Sequence, residues 1–218
     1  MILLASKSSG RLATLRAAGV EPLVRVSAVD EDTVLHELAD RHRLADLPAP
    51  SPSEQVQALA QAKALDVAAA TDPQEAEVVV GCDSMLEIHG QTVGKPDDAA
   101  QVRERWRTMS GSTGTLHTGH FLVRTADGVI AKGVSSATIR FGSPSQDEIE
   151  AYIASGEPLW CAGAFTIDGL GGAFIEGIDG DPHGVVGISL PLLRRLLADL
   201  GVRWTDLWAP PAGGGTDW

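Results

Sequence analysis

Four stretches of this sequence place reactive or phosphate-binding residue types where a backbone can present them. Ser6-Lys7-Ser8-Ser9-Gly10-Arg11 follows the apolar run Ile2 to Ala5. A strand turning into a helix there would let free N–H groups, hydroxyls and one guanidinium converge on an anion; serines before a helix, taken alone, are more often simple caps. Asp83 closes the apolar run Glu77-Val-Val-Val-Gly-Cys-Asp83, at a strand end of the kind where open α/β sheets carry functional groups. The plainer reading of that residue alone is a turn aspartate bonded to its own backbone. Lys95 stands before Pro96, which drives its backbone toward an extended form and fixes the direction of its ammonium. Asp168 lies in Ile-Asp-Gly-Leu-Gly-Gly, where glycines let the backbone approach a ligand closely.

These residues need a scaffold, and the apolar pattern supplies one. Ile2 to Ala5 reads as a short buried strand leading into a helix with Leu12 and Leu15 that stops at Gly19, and a second strand is expected from Leu23 to Ala28. The stretch from Thr33 to Pro50 carries only a faint helical pattern. Ser51-Pro-Ser-Glu54 announces a helix by its capping box and early proline. That helix has an apolar stripe at Val56, Leu59, Ala60, Ala64 and Val67, with Lys63 inside the stripe. An inward lysine must either pair or bind something, or else lay its stem on the core and extend its head to water. After the strand ending at Asp83 come Met85 to Ile88, a turn at His89-Gly90 and a helix from Asp97 to Met109. Leu116 to Arg124 and Val129 to Phe141 form an expected antiparallel pair around Asp127-Gly128. Ser145 to Glu148 caps another helix, and Leu192, Leu193, Leu196 and Leu197 line a last one. Strands alternating with helices, plus one hairpin, predict an α/β fold with a mixed sheet flanked by helices. A single domain is expected over 1–208, followed by a disordered Pro- and Gly-rich tail over 209–218.

Composition excludes several classes. With 17 Lys and Arg against 29 Asp and Glu, the 218-residue chain has a formal net charge of −12. Such a field repels nucleic acid and anionic membrane, so neither is an expected partner. A phosphorylated substrate must be held by local cations or a metal. Cys82 and Cys161 lack metal-ligand spacing and read as buried free thiols of a reducing compartment. The opening Met-Ile-Leu-Leu-Ala-Ser shows no basic leader, and a cytoplasmic location is expected. His89, His117, His120 and His183 share no helical spacing and are expected in surface or structural roles, while the five tryptophans are expected in core or interface packing, with Trp204 and Trp208 as candidates to pin the C-terminal segment. A twofold homodimer is the assembly expected from general frequency alone.

The order of short pieces is more specific than any one of them. Leu4-Ala-Ser-Lys-Ser-Ser-Gly-Arg11, Val29-Asp-Glu31, Leu59-Ala-Gln-Ala-Lys63-Ala, Gly81-Cys-Asp83-Ser, Gly94-Lys95-Pro96, Ser110-Gly111, Thr118-Gly119, Gly156-Glu157-Pro158, Ala162-Gly163 and Gly187-Ile-Ser-Leu-Pro191 together resemble the Maf family. The resemblance implies an inosine-triphosphatase-like fold of two lobes with a central cleft. It also implies hydrolysis of a nucleoside triphosphate, standard or modified, to the monophosphate and pyrophosphate, with a divalent cation, as house-cleaning of the nucleotide pool. It makes Asp83 the proton acceptor, puts Lys63 and Lys95 on phosphate with Ser6, Ser8 and Arg11, and supplies Asp30 and Glu31 as an acidic pair. Two departures stand out. Gly10 replaces an arginine of the Ser-Pro-Arg-Arg pattern, and Asp168 stands where the thymidine- and uridine-triphosphate branch carries glutamine. Cys161-Ala-Gly-Ala-Phe165 is closer to the 7-methyl-GTP branch, so Asp168 is expected to contact substrate and the base preference leans toward a purine.

A triphosphate carries about four negative charges, which Arg11, Lys63 and Lys95 do not fully balance; Mg²⁺ or Mn²⁺ on Asp83 with Asp30 or Glu31 is expected to supply the rest. Two other readings compete. A dehalogenase-type phosphatase needs a second aspartate two residues after Asp83, where Met85 stands. A nucleotide-binding regulator of septum formation, suggested by the family's association with division arrest, would bind without turnover.

Overall fold

The computed structural model describes residues 1–209. Seven strands form one sheet in the order β2-β1-β3-β5-β6-β7, with β4 paired to β3. β1 (Ile2–Leu4) runs parallel to β2 (Leu23–Val24) and β3 (Val78–Ile88). β4 (Gln91–Val93), β5 (Thr113–Arg124), β6 (Ile130–Phe141) and β7 (Ile175–Asp179) add antiparallel. The mixed sheet and its flanking helices are those expected from the sequence.

Local chemistry sets the helix starts. Ser8 caps α1 (Ser9–Ala17), Ser51 and Glu54 form a reciprocal box on α3 (Pro52–Ala68), and Asp98 caps α4 (Ala99–Met109). Ser145 and Glu148 form a second box on α5 (Gln146–Ala154), Asp181 caps the short α6 (Pro182–Val186), and Ser189 caps α7 (Leu190–Asp199). Each such side chain satisfies an N–H that the helix cannot bond internally.

Three strands, β3, β5 and β6, are long enough to serve two cores. Ile2, Leu4, Leu15, Val78, Val80, Leu122, Leu193 and Leu197 pack into one. Leu86, Ile88, Val102, Trp106, Met109, Ile139, Phe141 and Phe165 pack into the other, where Trp106 meets Phe141, Tyr152 and Phe174 edge to face. β3 contributes its first half to one lobe and its last residues to the other, so the polar pair Asp83-Ser84 lies at the junction.

Several expectations are revised. Asp83 does not end a strand, because β3 continues through it to Ile88 with β5 paired alongside. The second strand keeps only Leu23–Val24. The faint helix becomes α2 (Glu31–Leu44), whose acidic first turn and basic last turn complement the helix dipole although only Leu38 is buried. Trp208 bridges to Val20 and packs near Gly19, as expected of a pinning residue. Ala209, expected in a disordered tail, donates its N–H to Gly19 O; the remainder of that segment lies outside the described residues.

Candidate active site

The cleft begins as a gap in strand pairing. β1 pairs with β3 only over Val78 to Val80, and β4 only over Leu86 to Ile88. Residues 81–85 therefore have β5 on one side and, among the described residues, no strand on the other. A cleft of about 1100 Å³ opens there, lined by Ser6, Ser8, Arg11, Glu31, Lys63, Asp83, Lys95 and Asp168 among others.

Two glycines bring α3 down onto this edge. Side chains alternate along a strand, so Gly81 and Asp83 share a face, and Gly119 lies opposite Asp83 in register. A Cβ on Gly81 would sit 2.2 Å from Ala60 O, and one on Gly119 2.3 Å from Val56 O. Only bare backbone permits that approach. It settles the two readings of Lys63. Its ammonium pairs, donating to Asp83 Oδ1 at 2.6 Å and lying 2.7 Å from Glu31 Oε1.

Arg11 reaches the same edge from the opposite face of β3, beside Ser84. It is buried, and donates to Gly187 O at 2.7 Å, Ser6 Oγ at 2.9 Å and Ser84 Oγ at 3.1 Å. Ser84 continues to Thr118 Oγ1 at 2.8 Å, and Thr118 donates to Gly184 O at 2.8 Å. Burial pushes the Asp83 carboxyl above its usual range, with Lys63 and Arg11 pulling against that rise. A buried acid with a shifted carboxyl beside two cations marks a candidate functional group rather than a surface charge.

The remaining expected site residues divide. Ser6 and Ser8 line the cleft, but their hydroxyls are also structural: Ser8 Oγ accepts Arg11 N–H, and Ser6 Oγ accepts Ser8 N–H. Lys95 is exposed on a loop held by Arg105, which donates to Gly94 O at 2.6 Å and Lys95 O at 3.2 Å. Asp168 is exposed and accepts from Thr166 Oγ1. A Cβ on Gly10 would lie 3.8 Å from Asp168 Oδ2, so the two departures from the family pattern face each other. Asp30 does not line the cleft. Its carboxylate is turned to the start of α2, accepting from Asp32 N, Thr33 N and Thr33 Oγ1, so it leaves Glu31 as the member of the acidic pair that faces the site.

Reading the sequence alone also passes over some lining residues: Ser84, Glu157, Trp160, Phe165 and Thr166. Cys161, expected to be buried, is half-exposed in the cleft wall, its thiol pushed up to about 11 by burial and then by Glu157 and Asp168. Glu157 accepts from Tyr152 Oη at 3.0 Å and from the N–H groups of Leu170 and Gly171 at 2.9 Å each. Burial alone would raise its carboxyl, but those donors outweigh it and hold the group below the usual range. The signal lay in Gly156-Glu157-Pro158, which marked the family but assigned no role.

The sequence matches the family described as Maf-like protein over residues 1–200. The chain belongs to the Maf-like family. Among its relatives is a protein of Streptomyces coelicolor, named nucleoside triphosphate pyrophosphatase, that is 52% identical over 96% of this chain and 95% of its own length. Proteins of the same name from Saccharopolyspora erythraea, 52% identical over 95% of this chain and 97% of theirs, and Rhodococcus erythropolis, 51% identical over 95% and 96%, are similar to it as well. In this Maf-like protein the loop behind Arg11 rests on His120. That ring is fully buried, its Nε2 accepting Ser189 N–H at 2.9 Å and its Nδ1 lying 3.1 Å from Thr118 O. The two bonds require a neutral ring protonated at Nδ1. No helix among the described residues is long and apolar enough to cross a membrane.

Proposed function

We propose that this protein hydrolyses nucleoside triphosphates between the α and β phosphates, releasing the monophosphate and pyrophosphate. The observation that carries the reading is the position of Asp83: buried, on the unpaired edge of β3, between Lys63 on one face and the Arg11–Ser84 pair on the other. Relatives similar over nearly their whole length bear the name of that activity.

In this reading Arg11, Lys63 and Lys95 hold the polyphosphate, and their charge stabilises the transition state as negative charge builds on the transferred group. Asp83 orients the attacking water and accepts its proton. Its raised basicity suits it to that task better than an ordinary surface aspartate. Lys63 links Asp83 to Glu31, so a shift of the ammonium toward phosphate frees both carboxylates at once.

The residues present fit a hard divalent cation. Glu31 and Asp83 provide two carboxylates around one point, now bridged by Lys63. Among the described residues no group of three or more His, Cys, Asp or Glu side chains forms a metal cage. Mg²⁺ and Mn²⁺ sites of one or two carboxylates completed by substrate phosphate oxygens have this composition. When bound, such an ion supplies charge neutralisation and water polarisation.

Product analysis tests the proposal. A panel of purine and pyrimidine nucleoside triphosphates with Mg²⁺ or Mn²⁺ should give pyrophosphate and monophosphate in equal amounts. Release of orthophosphate and diphosphate would contradict it, and tight nucleotide binding with no product would turn the reading to a binding protein.

A further inference from the structure

One wall of the cleft carries a large apolar side chain that the fold does not use. Trp160 is 78% exposed and joins none of the apolar clusters, although the aromatic residues of its own lobe pack edge to face. It ends the 3₁₀ turn Glu157–Trp160 and lines the same cleft as Asp83 and Lys63.

The segment behind it is tied down by hydrogen bonds. Gly163 and Ala164 both have positive φ, 75° and 62°, a conformation a non-glycine residue holds only where its surroundings enforce it. Trp106 Nε1 enforces it by donating to Ala164 O at 3.0 Å, and Gly163 N–H is bound to Gly94 O at 3.0 Å. That second bond joins the Trp160 segment to the loop bearing Lys95. On its other flank, Glu157 pins the loop that bears Asp168 through Leu170 and Gly171. Trp160 thus stands on a segment tied to the loops that bear Lys95 and Asp168, its indole open to solvent in the wall of the cleft they share.

We propose that Trp160 is the stacking surface for the substrate's base and sets a preference for the larger purine ring. The inference rests on the nucleotide reading given above. A planar heterocycle on an indole replaces two wetted apolar faces with contact, and the gain grows with ring area. Trp160 supports no core, so its replacement leaves the fold intact.

The test compares the wild type with Trp160→Ala and Trp160→Phe, on GTP, on UTP, and with inorganic tripolyphosphate as a competing inhibitor without a base. Trp160→Ala should raise KM for GTP about tenfold, raise it less for UTP, and leave kcat within about twofold. Inhibition by tripolyphosphate and the melting temperature should not move, and Trp160→Phe should restore most of the GTP affinity. Equal losses for GTP and tripolyphosphate, or no change for either nucleotide, would overturn the assignment. Fluorescence reads the same contact without turnover: GMP should quench the wild type and not Trp160→Phe. An inactive wild type that still shows this Trp160-dependent quench would refute the hydrolytic reading alone, whereas active enzyme with quenching unchanged in the variant would refute the stacking role.

Discussion

His120 offers a quantitative test of how the loop that holds Arg11 is supported. Burial brings its pKa from 6.5 down to about 4, because a charged ring there would lose water and also face Arg11. The unfolded chain takes up this proton near pH 6.5 and the folded chain only near 4. The unfolded state therefore binds more protons throughout that window, so the ring's contribution is fully present above pH 6.5 and is lost as pH falls toward 4. At about 1.4 kcal/mol per pH unit, going from pH 7.5 to 5 should remove about 2 kcal/mol, rising to about 3 kcal/mol once pH falls below 4. Other groups titrate in the same range, so the comparison is with His120→Gln. That variant loses stability at pH 7.5 by about 1–3 kcal/mol, through imperfect replacement of the Ser189 and Thr118 bonds. Urea unfolding of both proteins at pH 7.5 and 5 should show the gap between them narrowing by about 2 kcal/mol. A gap independent of pH would mean that the buried ring does not stay neutral in the folded protein, and the reasoning would fail. The consequence reaches the site, since Ser189 and Gly187, which hold His120 and Arg11, are two residues apart.

Other outcomes follow from the same geometry. Asp83→Asn keeps the size of a buried side chain but removes the proposed base, so kcat should fall by about 10²- to 10⁴-fold with the fold intact by circular dichroism; unchanged turnover would take Asp83 out of the mechanism. Gly119→Ala places a methyl 2.3 Å from Val56 O, so α3 must move away from β5. A loss of about 1–3 kcal/mol by thermal denaturation together with weaker substrate binding through Lys63 is expected, and a neutral substitution would show that α3 is less tightly docked. Removal of divalent ions with EDTA should abolish turnover, and addition of Mg²⁺ or Mn²⁺ should restore it, whereas full activity in chelator would separate Glu31 and Asp83 from any metal.

What the sequence disclosed was mostly local. The start of α3 was legible because Ser51 and Glu54 cap it within one turn, and the β5–β6 hairpin because Gly128 supplies the positive φ of 72° that the turn needs. The inward position of Lys63 was legible as a polar residue in an apolar stripe, although only the sheet decides its partner. The passage of β3 through Asp83 was hidden, since a polar pair between two apolar runs looks like a strand end until both cores are present. α2 was faint because its stability comes from end charges and an Asp30 cap rather than a buried face, and that cap is what draws Asp30 away from the cleft. Trp160, expected with the other tryptophans in core or interface packing, joins no core; an exposed tryptophan and a core tryptophan look alike in sequence.

Isotope transfer addresses the central claim most directly. Hydrolysis of a nucleoside triphosphate in ¹⁸O-water should place the label in the nucleoside monophosphate and none in pyrophosphate, as required if Asp83 directs water to the α-phosphorus. Label in the pyrophosphate, or in free orthophosphate, would show attack at a different phosphorus and contradict the assignment of this site.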